Sequence, residues 1–398
     1  MLGSRGDVLP DALVAPLRSL HDRVPARPFE KLRKHVEQQL ALAEAHETSA
    51  LEPDVAAHDA RETVSRATWR GRTDGRASSA RGRDPTRRPV DEVFSSIEPT
   101  ALAAASLAQV HKGTLRDGTT VAIKIQYPEA RRLFPIDLAS LRRAVAVARW
   151  LNRSLDLRPL VNELHHFVLL ELQFSRELIS TKRVRENLAG DPKTVVPLVH
   201  EAYSTDKLLV LEFITGTALT RAATLRERGV DLREIAKRVA ELYARMIFTH
   251  GFFHGDPHPG NILVLDDGRI ALLDFGLAKE LPEGFADNAA RMIAAGMSGD
   301  IAKAVEAARA IGFVVSDDKA PHLITLIKAL LGDYEKAGDL LKQLAPGELE
   351  IPHHFTLIGR VMIILSGVSH ALVPNERIIG GALLVALAPH MMAARSAS

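Results

Sequence analysis

Cysteine is absent from all 398 residues, which removes disulfides, thiolate metal sites and cysteine nucleophiles from the chemistry open to this chain. Its beginning, "MLGSRGDVLPD", lacks the basic tip and apolar core of a signal peptide, so secretion is not expected. Long hydrophobic runs are missing too. The most apolar late stretch, Ile378 to Pro389, falls short of the roughly 20 residues of a spanning helix and reads as a packed C-terminal helix. What remains, 46% apolar and 25% charged residues, suits a water-soluble protein with two or more lobes.

The formal charge of +2 is unevenly spread. Residues 61–90 hold nine arginines against Glu62, Asp74 and Asp84, and the remainder is slightly acidic. Aromatics interleave this basic stretch only at Trp69, so it reads as a disordered linker and no nucleic-acid partner is expected. Helical spacing appears at Leu13, Leu17, Leu20 and Val24, and again, after "PARP", at Phe29, Leu32, Val36 and Leu40. These features divide the chain into an N-terminal helical extension (1–48), an arginine-rich linker or insertion (49–91) and two further regions, 92–214 and 215–398. No internal repeat is evident.

Glycine is also missing from a place that turns out to matter. "EPTALAAASLAQVHKG", residues 98–113, looks like a helix start by its alanines, yet it leads into "TTVAIKIQ" through an Asp-Gly pair, a hairpin signal. Downstream, "HGDPHPGNILVLDDGRIALLDFG" holds Asp256, then Asn261, then Asp274-Phe275-Gly276, with a second Asp-Gly pair between them. Protein kinases carry this order: an aspartate that receives the substrate proton, an asparagine and a D-F-G aspartate that hold magnesium, and a V-A-I-K lysine on the phosphates. Lys124 of "VAIK" takes that last place. Hard oxygen donors such as Asn261 and Asp274 are what magnesium prefers. Ala103, Ala105, Ala108 and Val110 then fall on the frame of G-x-G-x-x-G-x-V, with Ala104 and Ser106 in the same loop. Because alanine penalises close backbone approach and positive φ, a stiffer and in part helical phosphate cover is expected.

Lys124 needs an acidic partner, sought on a long helix through "ELQFSRE". Glu171 and Glu177, six residues apart on one helix, would diverge by roughly 120°, so only one can serve, and Glu177 is favoured. His254 and His258 sit among prolines that break a helix, which argues against a zinc pair and for a role in shaping the loop.

With "AAASLAQVHKG", "VAIKIQYP", "LELQFSRE", "HGDPHPGNIL" and "LLDFG" on one chain, the sequence resembles the UbiB/AarF-type atypical kinases, which are linked with ubiquinone and other isoprenoid-lipid metabolism. That resemblance implies an α+β, two-lobed protein-kinase-like fold with an N-terminal helical extension and a mostly helical C-lobe. It implies binding and hydrolysis of ATP with Mg2+ and little phosphorylation of other proteins. By motif match, Lys124 would bind phosphate and pair with Glu177, Asp256 would be the catalytic aspartate, and Asn261 and Asp274 the metal ligands. The backbone near Glu212 and Phe213 would face adenine. A lipid or quinone-pathway partner and a cytoplasmic location with peripheral membrane contact are further expectations.

Two departures bear on activity. The family's K-x-G-Q is expected just upstream of "MLGSRGDVLP", and its E-x-D reads Glu171-Leu172-Gln173 here. Both affect one apparatus, so altered regulation or weaker catalysis is expected. Three functions compete: an ATP-dependent atypical kinase or ATPase, a pseudokinase-like nucleotide-binding regulator, and a small-molecule phosphotransferase of the aminoglycoside or choline kinase kind. The intact D-F-G and alanine-rich loop disfavour the last.

Overall fold

The computed structural model describes residues 25–50, 84, 86–151, 157–316, 320–330, 349–374, 376 and 378–396. The helical spacing at Leu13, Leu17, Leu20 and Val24 and most of the arginine-rich stretch lie outside them. The chain forms two compact units, one from the described parts of residues 1–162 with 199–212, the other from 163–198 with 213–398.

In the first unit, helix α1 (Glu30–Ala50) follows the 3-4-4 spacing of its apolar residues. Phe29, Leu32, Val36 and Leu40 are all buried, as one stripe of a helix must be when it covers a sheet. Gln39, on the same side, accepts a hydrogen bond from Thr205 Oγ at 2.8 Å. The five-stranded sheet runs β1 (Phe94–Ile97), β3 (Ala108–Leu115), β4 (Thr120–Gln126) and β5 (Leu208–Glu212) in order, with the short β2 (Ala103–Ala104) on β3. Every pairing is antiparallel.

Asp117-Gly118 forms the β3–β4 turn. Gly118 has φ +90°, and Asp117 accepts the Thr119 N–H at 2.8 Å. Strand alternation then sorts the side chains. Val121, Ile123 and Ile125 are fully buried on one face, leaving Ala122 and Lys124 on the other. Helix α2 (Ala130–Leu151) follows, with Leu138 and Val145 meeting Val161 of helix α3 (Arg158–Glu171) in a small cluster of their own.

The second unit is built around helix α5 (Leu232–Phe248), capped by Asp231, whose carboxylate accepts the N–H groups of Arg233 and Glu234. Its last two turns are apolar except for Arg245, which bridges Asp191 at 3.0 Å, and Leu242, Tyr243, Ala244, Met246 and Ile247 are buried, as suits the centre of a helical core. Helices Phe285–Ser298, Ile301–Ala310, His353–Leu372 and Ile378–Ser396 contribute to that core. Among the described helices, His353–Leu372 is long and apolar enough by length and composition to cross a membrane, but Phe355, Ile358, Val361, Met362 and Leu365 are buried here. The final helix packs through Ile379, Ala382, Leu383 and Leu387.

The expected single helix through "ELQFSRE" is two helices. Helix α3 stops at Glu171, and helix α4 (Phe174–Asn187) begins after Gln173, which has φ −114° and ψ 83°. Leu172 and Phe174 are both buried. They would lie about 200° apart on a continuous helix, and the break lets both turn inward. The angle drawn between Glu171 and Glu177 therefore does not apply.

Leu40→Ala should lower stability by about 2–5 kcal/mol, because a fully buried leucine leaves a cavity under the sheet. Urea denaturation followed through the first unit tests this, and a loss below about 1 kcal/mol would mean that α1 is not part of the core.

Candidate nucleotide and metal site

In the first unit, Lys124 pairs directly with Val110 across the β3–β4 ladder. Paired residues share a face, so Val110, Ala122 and Lys124 lie side by side, all half-buried. An apolar plate with one ammonium at its edge suits a base and a phosphate. Ala122 belongs to this face, and alternation from Lys124 would have identified it.

The alanine-rich loop is a small hairpin. Ala103 pairs with Val110 and Ala104 with Gln109, and the Ala105 N–H reaches the Ala108 carbonyl at 2.8 Å. No helix forms there, contrary to the expected partial one, because β3 recruits the segment as a strand. Ala103, Ala105 and Ser106 are exposed, Ala104 is half-buried, and Ala108 is buried in β3 with its side chain out of reach. Among the described non-glycine residues only Asp274 has positive φ. The loop thus turns without the conformation alanine would resist. Glu212 ends β5 opposite Val121, and Phe213 follows it half-buried, where the chain returns to the second unit.

In the second unit two antiparallel ladders bracket both polar loops. Strand β6 (Phe252–His254) pairs with β9 (Ala278–Glu280), and β7 (Ile262–Val264) with β8 (Ile270–Leu272). The first loop, with Asp256 and Asn261, joins β6 to β7, while Asp274-Phe275-Gly276 joins β8 to β9, so the loops must lie side by side. Direct bonds join them: the Leu273 N–H donates to the Asn261 carbonyl at 2.8 Å, and the Gly255 N–H to the Leu277 carbonyl at 3.0 Å. A Cβ on Gly255 would sit 2.5 Å from that carbonyl oxygen, so only glycine permits the approach.

Asp274 adopts φ +59°, a conformation aspartate tolerates better than most residues but still at a cost. Its Oδ1 accepts the Gly276 N–H at 3.2 Å. The Glu177 carboxylate is buried beside the same glycine, with Oε2 3.7 Å from where a Gly276 Cβ would stand. Helix α4 is held there by Arg183, which bridges Glu280 at 2.7 Å and lies 4.3 Å from the Phe252 ring centre. The second unit thereby gathers Glu177, Asn261 and Asp274 around the D-F-G turn. Glu171, at the end of α3, is half-buried.

His254 is buried with its ring 5.2 Å from Phe275. Its Nδ1 accepts the Asp256 N–H at 3.0 Å, which fixes the loop backbone at the aspartate and calls for a neutral imidazole. His258 turns its Nδ1 to the Gly260 N–H at 3.1 Å. Both histidines therefore shape the loop. Burial holds His254 below its ordinary value, against the opposing pull of the Asp274 and Asp256 carboxylates and the Leu273 carbonyl. A depressed folded value means that the unfolded chain takes up the proton first. Stability is therefore whole above 6.5, the unfolded value, and is lost as pH falls below it towards the folded value.

His254→Asn, which keeps an acceptor for Asp256, should make the loss of thermal stability between about pH 7 and pH 5 shallower; an unchanged slope would place its source elsewhere. Gly255→Ala should cost about 1–3 kcal/mol through the clash with Leu277, read as a lower denaturant midpoint, and no loss would show that the loops do not approach so closely.

Comparisons with known proteins bear on the family and the fold. A family model described as an ABC1 atypical kinase-like domain matches residues 82–308. AarF domain-containing protein kinase 1 of Gallus gallus is 35% identical over 235 residues, 58% of this chain and 45% of that protein. The Arabidopsis thaliana protein Activity of bc1 complex kinase 1, chloroplastic, is 28% identical over 310 residues, 73% of this chain and 45% of its own length. The chain thus spans about half the length of the curated relatives it matches. The solved Rv3197–erythromycin complex from Mycobacterium tuberculosis superposes with TM-score 0.53 and 25% identity, covering 74% of this chain and 80% of that one. The fold is kinase-like, mixed helix and sheet with a helical C-terminal region. With the family model spanning more than half its length, the chain belongs to the ABC1 atypical kinase-like family, the UbiB/AarF group whose motifs it carries.

Proposed function

We propose that the chain binds Mg-ATP and acts as an ATP-dependent atypical kinase or ATPase in isoprenoid-quinone or lipid metabolism, at the cytoplasmic face of a membrane. The observation that carries this reading is the bond from the Leu273 N–H to the Asn261 carbonyl at 2.8 Å, which holds the asparagine against the D-F-G aspartate. The donors there, one amide oxygen and one carboxylate, are hard oxygens and fit magnesium. Asn261 and Asp274 would hold the ion, which when bound neutralises charge on phosphate oxygens.

The remaining steps fall to the chain's own groups. Lys124 would offer its ammonium to the α and β phosphates from the face it shares with Val110 and Ala122. Glu177, buried by the D-F-G turn, would orient that lysine. Asp256, its backbone fixed by His254, would position the acceptor hydroxyl and take its proton as the phosphoryl group leaves ATP. A second reading, a nucleotide-binding regulator with little turnover, draws support from Gln173, an amide at the E-x-D position in the break between α3 and α4.

With nucleotide at about 100 times its dissociation constant, thermal melting should rise by the equivalent of about 2.7 kcal/mol when magnesium is present. Chelation of the metal, or Asp274→Asn, should remove the magnesium-dependent part. Asp256→Asn should keep the shift yet lower phosphate release by about 10²–10⁴. A wild type that melts higher with Mg-ATP but releases no phosphate would favour the regulator, and one that shifts with no nucleotide would refute both readings.

A further inference from the structure

Gln109 lies inside the alanine-loop motif, yet its side chain faces away from Lys124. It is 1% exposed and uses all the hydrogen-bonding capacity of a primary amide. Its Oε1 accepts the Arg27 N–H at 2.9 Å and the Tyr127 hydroxyl at 3.2 Å. Its Nε2 donates to the Arg27 carbonyl at 2.9 Å and to His111 Nε2 at 2.6 Å. His111 then carries its proton on Nδ1, facing the Glu98 carbonyl at 2.8 Å. The side chain thus pairs with the main chain of residue 27 as a neighbouring strand would.

Residues 25–29 form a strap across this point. The Arg27 guanidinium lies 4.2 Å from the Tyr127 ring centre and bridges Glu129, while the Phe29 ring meets His111 edge-on at 5.4 Å. On its backbone side, Gln109 pairs with Ala104 of the loop. One residue therefore joins the loop by its main chain and the strap by its side chain. Asparagine is too short for this, and neither glutamate nor leucine reproduces both donors and both acceptors.

We propose that Gln109 is a positioning residue through which the N-terminal strap holds the alanine-rich loop in its hairpin, so that the state of the strap sets nucleotide affinity. The inference rests on the nucleotide reading above for its second half. Beside this amide, a second link runs from the Arg27 guanidinium to Tyr127, whose N–H donates to the Leu107 carbonyl of the loop at 2.9 Å, and the loop hairpin is just two residue pairs long, too few to be stable unaided.

The test uses the full chain and compares Gln109→Leu with Val93→Ala, a core substitution remote from the loop, at matched loss of melting temperature. Amide hydrogen exchange over 101–108 without nucleotide, and the Kd for Mg-ADP, are the two readouts. For Gln109→Leu, loop exchange should quicken by about tenfold and Mg-ADP bind about five- to tenfold more weakly than for the control, as expected when the competent loop is less populated. Equal behaviour of the two variants would reduce Gln109 to a core residue and overturn the proposal. Should the leucine variant not fold, Gln109→Glu removes both donors at nearly constant shape and must shift both readouts in the same direction. A wild type that binds no Mg-ADP overturns the affinity claim alone, because loop exchange still reports on the strap.

Discussion

Two ladders of three residue pairs each, β6 with β9 and β7 with β8, are the constraint on which the chemistry of the second unit depends. Neither loop they enclose has regular structure beyond a single turn, and neither would hold its shape in isolation. Pinning both ends of both loops converts thirteen residues of sequence separation between Asn261 and Asp274 into adjacency. Entropy explains why three of the four strands are wholly buried: each fixed residue costs about 1–2 kcal/mol of backbone freedom, and apolar burial of Ile262, Val264, Ile270 and Leu272 offsets it.

Backbone permission decides the rest. Gly255 is required where the Leu277 carbonyl comes close, and the D-F-G turn places strain on Asp274, in keeping with strained aspartates at sites of function. The alanine-rich loop works the other way. It uses ordinary φ throughout and takes its shape from β3, so what glycine supplies by freedom elsewhere is supplied here by strand pairing and by the strap behind Gln109.

Much of this was legible in the sequence because short-range signals agreed with one another. Both Asp-Gly pairs make the turns they advertise, and the spacing of Phe29, Leu32, Val36 and Leu40 marks the buried side of α1. The order Asp256, Asn261, Asp274 needed only intervening strands to become a cluster. The break between α3 and α4 was not legible, since every residue of "ELQFSRE" tolerates a helix and only tertiary burial of both Leu172 and Phe174 interrupts it. Alanine propensity misled in the loop for the same reason, as a neighbouring strand outweighs a few tenths of a kcal/mol per residue. A buried glutamine in a strand carries no local mark of its partners, and Gln109 became intelligible only with Arg27 beside it.

The most direct test of the account is a count of Mn2+ ions bound per chain, by electron paramagnetic resonance, with and without ADP. Manganese shares magnesium's preference for oxygen ligands, and the account predicts a nucleotide-dependent site that is lost in Asn261→Ala while the protein stays folded. Manganese binding that ignores ADP, or survives that substitution unchanged, would contradict the claim that the two ladders assemble a metal-nucleotide site.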